Sequence, residues 1–546
     1  MTNTSNTERP KVLIEQWLPI DQIGAECMRE RGASSALPPL YFLHVWWARR
    51  PLTVSRAAIL ASLLPAYPVD DDGTARPWPQ KLLKTFPTFD AYKAWFLELI
   101  GILGDPAASR RIIDWAKTKG LKLKPQIIQR LPKDWTSGLP NDMKVSIPYG
   151  YPRAFTYNPG KHQLETLYDL LEWTWSTREI TFCDPMSGGG SIPFEALRFG
   201  LTVHANELNP VASVILKATL DYPARFGQDL GKDVRKYGEL WCERVCQQLE
   251  PFYPLADPEE SIFCYIWART ITCPTSGKPV PLSPNWWLLK GSSPTAVKVI
   301  AEPKAKQCRF EIVNGTSACR AAKPDRGTVK RGTGISSWTG EAIDSDYIKA
   351  EAQAGRMGQQ LYAVGIKKQG DFSFRAPTPE DAAAYERAVK DLARRRPAWE
   401  AAGMVPTEAY PTPSTDMRPI LYGMPTWADF FAPRQLLAML VIQDELKRLK
   451  QEIGESLDGE RAKAVATYLA LAADKCADYN SRMIRWHSSR GVIAGTFDRH
   501  DFSFKWSHAE FDSARNQLPW AVEQVTDALK GIATLAHPAA TIPMLV

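Results

Sequence analysis

Hydrophobic positions recur with helical spacing in several separate stretches of the chain. Val54 to Leu64, Lys161 to Trp175, Pro433 to Leu449 and Gly459 to Asp478 each predict a helix on this pattern. Thr378-Pro379-Glu380-Asp381 supplies an N-cap, a proline suited to the first turn and two acids, so another helix should run to about Arg396, where Pro397 stops it. Between Ile180 and Leu220 short apolar strands alternate with helical stretches, which predicts a parallel sheet. From about 252 to 375 the pattern changes to short strands separated by Pro, Gly and Ser, as in a small inserted β-rich module. Residues 70–150, rich in Pro, Lys and Trp, read as loops with short helices.

A chain of 546 residues exceeds what one hydrophobic core usually organises. With 44% hydrophobic and 23% charged residues it belongs among globular proteins rather than disordered ones. The start, Met1 to Pro10, is polar, and the apolar runs Ala57 to Leu64 and Leu436 to Ile442 are too short to span a bilayer, so a cytoplasmic protein with no membrane partner is expected. Its 9 cysteines are scattered and odd in number, unlike a disulfide framework. Lys plus Arg number 67 against 60 for Asp plus Glu, which permits a polyanionic partner without requiring one.

The chemistry concentrates in Ile180-Thr181-Phe182-Cys183-Asp184-Pro185-Met186-Ser187-Gly188-Gly189-Gly190-Ser191-Ile192-Pro193. An apolar strand ends at an acid, a glycine turn follows, and a helix begins with Ser191 available as its cap. Glycines let backbone approach a ligand, and the first helical N–H groups offer donors to a carboxylate. Gly200 should end that helix; a second strand, Thr202 to Glu207, ends in another acid before Asn209-Pro210 opens a new helix. Glu207 lies where an acid accepts bonds from the ribose hydroxyls of an adenosine cofactor. The turn is not a dinucleotide fingerprint, because Asp184-Pro185 precedes the glycines and no third glycine has the needed spacing; an acid there repels a pyrophosphate and suits an ammonium group.

Asp184 to Ser191 resembles the Asp-Pro-Met/Phe-x-Gly-x-Gly-Ser/Thr motif of amino-methyltransferases. A wider resemblance links nearly the whole chain to bacterial adenine-specific DNA methylases that carry a zinc-ribbon insert and are associated with phage-defence islands. It rests on His44 to Leu52, Asp184 to Leu197, Asn206 to Tyr222, Tyr265 to Pro274, Gly355 to Gly358 and Asn480 to His487. The resemblance implies an α/β fold: a Rossmann-like methyltransferase core with a small β-rich, degenerate zinc-ribbon insert and additional helices. S-adenosylmethionine is the implied cofactor, held by Asp184, Pro185, Met186, Gly188, Gly190, Ser191, Glu207 and Asn209, and DNA is the implied partner. Four segments follow: a family-specific N-terminal region (1–150), the cofactor-binding part of the core (151–251), the insert (252–375), and a helical C-terminal region (376–546).

Two departures matter. Family members carry paired Cys-Pro-x-Cys-Gly knuckles, whereas here they read Cys273-Pro274-Thr275-Ser276-Gly277 and Ser336-Ser337-Trp338-Thr339-Gly340. Three of four ligand positions are hydroxyl residues, so a ribbon without zinc is expected; Cys308 and Cys319 are the only spare thiols nearby. The family's Asp/Asn/Ser-Pro-Pro-aromatic tetrapeptide, which holds the target amino group, is also missing: Pro38-Pro39 stands in Leu37-Pro38-Pro39-Leu40, without the polar or aromatic neighbour. No catalytic residue is therefore assigned. In the family the tetrapeptide is expected beyond the block ending near Trp506, so either a second polypeptide carries it or the chain is a truncated relic.

Trp46, Arg49 and Arg50 form one basic and aromatic cluster, and Arg482, Arg485, Trp486, His487 and Arg490 a second; each suits phosphate and base contact and equally suits a packed core edge. Arg394-Arg395-Arg396 reads as a solvated helix end. An RNA base methyltransferase and a non-catalytic DNA-binding subunit of a defence complex remain the alternatives.

Overall fold

The computed structural model describes residues 10–32, 36–44, 50–68, 77–118, 149–257, 259–368, 371–498, 501–536 and 542–545. The fold is mixed α/β with several small sheets, arranged in two compact units: Met1–Gly231 with Asp527–Val546, and Lys232–Thr526. Segment 1–150 and residues 151–231 of the segment 151–251 thus share one unit with the C-terminal residues, while residues 232–251 fall in the other with 252–375 and most of 376–546. Among the described residues, no helix is long and apolar enough to cross a membrane.

In the first unit, helices α1 (Ile20–Arg31), α2 (Leu52–Leu63), α3 (Gln80–Thr85), α4 (Phe89–Leu99), α5 (Pro106–Thr118) and α6 (Lys161–Trp175) precede the parallel sheet. Helix α2 is buried on nearly every side, from Leu52 through Ala61. Its N-terminal amides would be orphaned there, and the Glu30 carboxylate of α1 meets them, accepting from Leu52 N at 2.8 Å and Thr53 N at 3.2 Å. The stretch read as loops with short helices holds α3, α4 and α5, and its aromatic residues pack together: Trp78 and Phe86 lie edge-on to Tyr92 with centroids 5.0 and 5.1 Å away.

Strand β1 (Thr181–Asp184) pairs in parallel with β2 (Thr202–Ala205), with Thr181 opposite Thr202 and Asp184 opposite Ala205. Helix α7 (Ser191–Arg198) connects them, and Met544–Leu545 adds a third parallel strand on the far side of β2. Two side chains of α7 anchor this βαβ unit. Glu195 takes Arg56 Nε of α2 at 2.7 Å and Arg198 Nη1 at 2.8 Å, all three side chains being buried. Arg198 continues to the carbonyls of Phe155, Tyr157 and Leu535 at 2.9, 2.8 and 3.1 Å.

The second unit is built around β3 (Ile262–Thr272), which pairs antiparallel with Gly358–Lys368, with Ser507–Phe511 and with β4 (Pro279–Leu282). A separate sheet holds β5 (Trp287–Leu289), β6 (Thr295–Ile300) and β7 (Arg309–Asn314). The β-rich stretch is therefore not closed on itself, since residues 507–511 complete its main sheet. Glu510 of that strand, fully buried, accepts from Arg434 at 2.7 and 2.8 Å and from Trp267 Nε1 at 2.7 Å. Helices Pro433–Ser456 and Gly459–Asp478 stand close to their expected bounds. The helix from Pro379 runs through Pro397 to Ala401, because Trp399 is buried and Arg396 bonds Glu400 at 2.6 Å, which together outweigh one missing amide donor.

Both knuckle turns are present. Gly277 and Gly340 adopt φ of 66° and 78° and donate to the carbonyls of Cys273 and Ser336, 2.9 Å each. Trp338 joins them: its Nε1 donates to Pro279 O at 2.9 Å and Lys278 Nζ sits 4.6 Å from its ring centroid. Among the described residues no three His, Cys, Asp or Glu side chains gather in a metal-holding group. Cys308 lies in the core with its thiol pushed up to about 11 by burial, and the Cys319 thiol faces the carbonyls of Pro294 and Val313. Burial pushes the Cys273 thiol up, but the Ser276 and Ser336 hydroxyls and the Ser276 and Thr275 amides outweigh it and hold the group at about 7.

Two predictions follow from these centres. Glu195→Leu leaves two buried guanidinium groups without the carboxylate that bonds them and should destabilise the chain by about 3–5 kcal/mol in urea unfolding, while adding Arg56→Leu should recover part of that loss; a Glu195→Leu variant of unchanged stability overturns the assignment. For Cys273, folding depresses the acid, so the folded chain sheds this proton first. The resulting stability is fully present above about pH 9, the ordinary thiol value, and is lost as pH falls through about 7. Cys273→Ser should remove up to about 2 kcal/mol of that dependence, read from urea midpoints across the same window; parallel profiles for the two proteins exclude it.

Candidate cofactor site

The site is the junction of β1, the glycine turn and β2. Asp184 O, at the end of β1, accepts Asn206 N at 2.9 Å, and Ser187 N returns a bond to Asn206 O at 3.0 Å, so the turn is laced to the end of the second strand. Asn206 also donates through Nδ2 to Pro185 O at 3.0 Å. Gly188 and Gly190 have φ of 54° and 84°, the left-handed region open to glycine. A Cβ on Gly190 would stand 3.0 Å from Leu216 Cδ2 and 3.4 Å from Thr219 Cγ2, so the turn and the helix after β2 are in close contact.

Two buried side-chain atoms in this region lack a hydrogen-bond partner among the described residues. One is Asp184 Oδ2; its companion Oδ1 accepts Met186 N at 3.1 Å. The other is Thr219 Oγ1, which lies on a π-helical turn, Lys217–Asp221, continuing helix α8 (Pro210–Leu216). Buried polar atoms are nearly always paired, and π turns concentrate at functional sites. The sequence reading missed Thr219 and Asn206. Asn206 stands inside the strand it singled out, whereas the π turn has no sequence signature of its own.

Other expected site residues fall differently. Ser191 is the first helical residue rather than the cap, which is Gly190. Asn209 caps α8, its Oδ1 accepting Val211 N at 2.9 Å and Ala212 N at 3.4 Å. Glu207 is not waiting with free oxygens: Oε2 accepts Gly188 N at 2.7 Å and Oε1 accepts Asn209 N at 3.1 Å. Pro185 and Met186 are exposed, Met186 at 85%, and so is Leu208 beside Glu207, at 95%.

Among the described residues β1 pairs on one side only. The carbonyls of Ile180 and Asp184 accept from Thr202 and Asn206, so by the alternation of a parallel ladder the amides and carbonyls of Thr181 and Cys183 face the open edge. Both residues are exposed, although strands of parallel sheets are ordinarily covered on both faces.

For the two basic and aromatic clusters, Trp46 and Arg49 lie outside the described residues, and Arg50 is exposed just before α2. Arg482 is half-buried; its amide and Nη1 donate to the carbonyls of Phe430 and Asp429 at 2.7 and 3.4 Å, and burial lowers its pKa. Trp486 is half-buried against the core: Phe263, Phe372 and Phe374 lie around it at 6.3, 5.9 and 5.7 Å, and its Nε1 donates to Leu288 O at 2.5 Å. Arg485 is exposed, and His487 Nδ1 lies 3.2 Å from Ser489 Oγ. Arg485 and His487 sit on one strand of a hairpin, Arg485–His487 against Val492–Ala494.

Residues 17–96, which span α1 to α4 and contain both Glu30 and Arg56, match the family described as a protein of unknown function, DUF1156. No curated protein and no solved structure matches the chain.

Proposed function

We propose that this chain is the S-adenosylmethionine-binding half of a nucleic-acid methyltransferase directed at the adenine amino group of DNA. The observation that carries the reading is the buried, unpartnered Asp184 Oδ2 at the head of a left-handed glycine turn. A carboxylate in that state suits the ammonium group of a methionine moiety, and a turn without Cβ atoms suits close approach of the cofactor's chain. Asp184, Pro185, Met186, Gly188, Gly190 and Ser191 would line the methionine end, with Asn209 setting the helix beside it. Glu207 would hold the ribose once its bond to Gly188 N is exchanged for bonds to the ligand.

The bound sulfonium supplies an electrophilic methyl group, and what remains for protein is in-line positioning of the amine. The sequence lacks the tetrapeptide that does this, so the reading assigns the target-holding groups to a second polypeptide, in a Rossmann-like core completed beyond the strands described above. A cytoplasmic phage-defence role belongs to the same proposal. The saturated Glu207 favours one other reading, a non-catalytic DNA-binding subunit whose pocket stays closed.

Calorimetry of the purified chain with S-adenosylmethionine separates the two. Under the methyltransferase reading the chain binds, and Asp184→Ala and Glu207→Ala each weaken binding at least about tenfold, the scale of a lost hydrogen bond to a charged group. Gly190→Ala should do the same, since the added Cβ meets Leu216 at a left-handed φ. Absence of heat from the intact chain supports the closed subunit instead.

A further inference from the structure

The second unit carries two contiguous clefts that share one residue, Trp287. The first, about 520 Å³, is lined by Trp287, Arg320, Lys323 and Arg326 among others. The second, about 440 Å³, has Trp287, Lys290, Arg485, His487 and Lys505 along its walls. Asp325 is the one carboxylate in either lining, and its Oδ1 is engaged by Trp287 Nε1 at 2.7 Å.

Two physical features set this surface apart. Lys290, Arg320, Lys323 and Arg326 are all exposed, and none forms a salt bridge among the described residues. Cations that outnumber the acids on a concave surface, here four against the single Asp325, raise the local concentration of anions. Lys323 also holds φ of 50°, a left-handed conformation unfavourable for a side-chain-bearing residue, at the end of the short helix Thr316–Ala322. The second feature is the indole of Trp287. It is half-exposed, stacks on no other aromatic ring among the described residues, donates from Nε1 to Asp325, and has Lys290 Nζ 5.4 Å from its centroid. Trp486, which the sequence suggested as a stacking residue, also lines the second cleft but has phenylalanine rings packed around it, so the platform shared by both clefts is Trp287.

We infer that this double cleft binds single-stranded nucleic acid, with a base stacked on Trp287 and the flanking phosphates held by Lys290 on one side and by Arg320, Lys323 and Arg326 on the other. The duplex form is disfavoured because paired bases keep their faces covered, whereas a stacking platform between phosphate-binding cations fits unpaired bases of any sequence. The inference names the contact surface for the nucleic-acid partner and does not depend on cofactor binding, because no residue of the glycine turn lines either cleft.

Fluorescence anisotropy of the full chain with an end-labelled twelve-residue oligothymidylate, alone and annealed to its complement, tests it. The single strand should bind at 50 mM salt, more tightly than the duplex, and lose affinity steeply by 200 mM. Trp287→Ala should weaken binding roughly tenfold and Trp287→Phe should restore most of it. Reversing Lys290, Arg320, Lys323 and Arg326 to Glu should abolish binding and flatten the salt dependence, with unchanged circular dichroism and melting. Binding that is absent at 50 mM salt, unchanged by the charge reversal, or equal for strand and duplex and indifferent to Trp287 overturns the inference. Calorimetry with S-adenosylmethionine on the same variants should match the intact chain, so failure of one reading is visible apart from failure of the other.

Discussion

The first unit depends on a cluster of charges held out of water. Arg56, Glu195 and Arg198 are buried, and taking three ions from water costs several kcal/mol each unless every donor and lone pair is met. Most are met by backbone: Arg56 Nη1 reaches the carbonyls of Ile100, Ala154 and Tyr157 at 3.3, 3.2 and 3.2 Å, while Arg198 reaches Phe155, Tyr157 and Leu535. These carbonyls end helices or lie in a short 3-10 turn and loops, so the guanidinium groups tie together chain segments that come from distant parts of the sequence. Glu30 sits close enough to act on the same charges while it meets the first amides of α2. Breaking the cluster therefore releases α2, α7 and the C-terminal segment together.

That anchoring fixes one end of the glycine turn and leaves the other adjustable. Helix α7 cannot rotate without disturbing Glu195, so the left-handed angles at Gly188 and Gly190 are imposed by their surroundings. The movable part is the clasp between Glu207 and Gly188 N, a single charge-assisted bond at a half-buried position. A ligand that offers Glu207 two hydroxyl donors can exchange with this clasp at little net cost, because the carboxylate stays satisfied in both states. Exposed Met186 and Leu208 on either side of the clasp, together with the uncovered β1, mark this face as incomplete within the described residues.

Local signals in the sequence were readable where local chemistry decides the outcome. Thr378 caps its helix with Asp381 reaching back to the Thr378 amide, and Asn209-Pro210 opens α8, because capping involves residues two or three apart. The glycine turn between two parallel strands was legible for the same reason. What escaped depends on contacts across long separations. Arg56 and Glu195 are 139 residues apart, and nothing near either marks them as partners. Trp486 looked like a surface aromatic beside arginines, yet phenylalanines from 112 or more positions earlier pack around it; Trp287, with no basic neighbour closer than Lys290, gave no such signal. Pro397 failed as a helix stop because packing of Trp399 is a tertiary term that overrides a local one.

The two turns at Cys273–Gly277 and Ser336–Gly340 are held by hydrogen bonds and packing. A zinc ribbon draws its folding energy from thiolates that hold one ion, and here three of the four ligand positions carry hydroxyl groups. The two turns still face each other, but what joins them is Trp338, bonded to Pro279 O and covered by Lys278, while β4 pairs with the end of β3 along Arg269 to Thr272. Two of these hydroxyl groups, on Ser276 and Ser336, lie beside Cys273 and lower the pKa of its thiol. The glycines at 277 and 340 are needed because the turn geometry demands a left-handed residue at both positions.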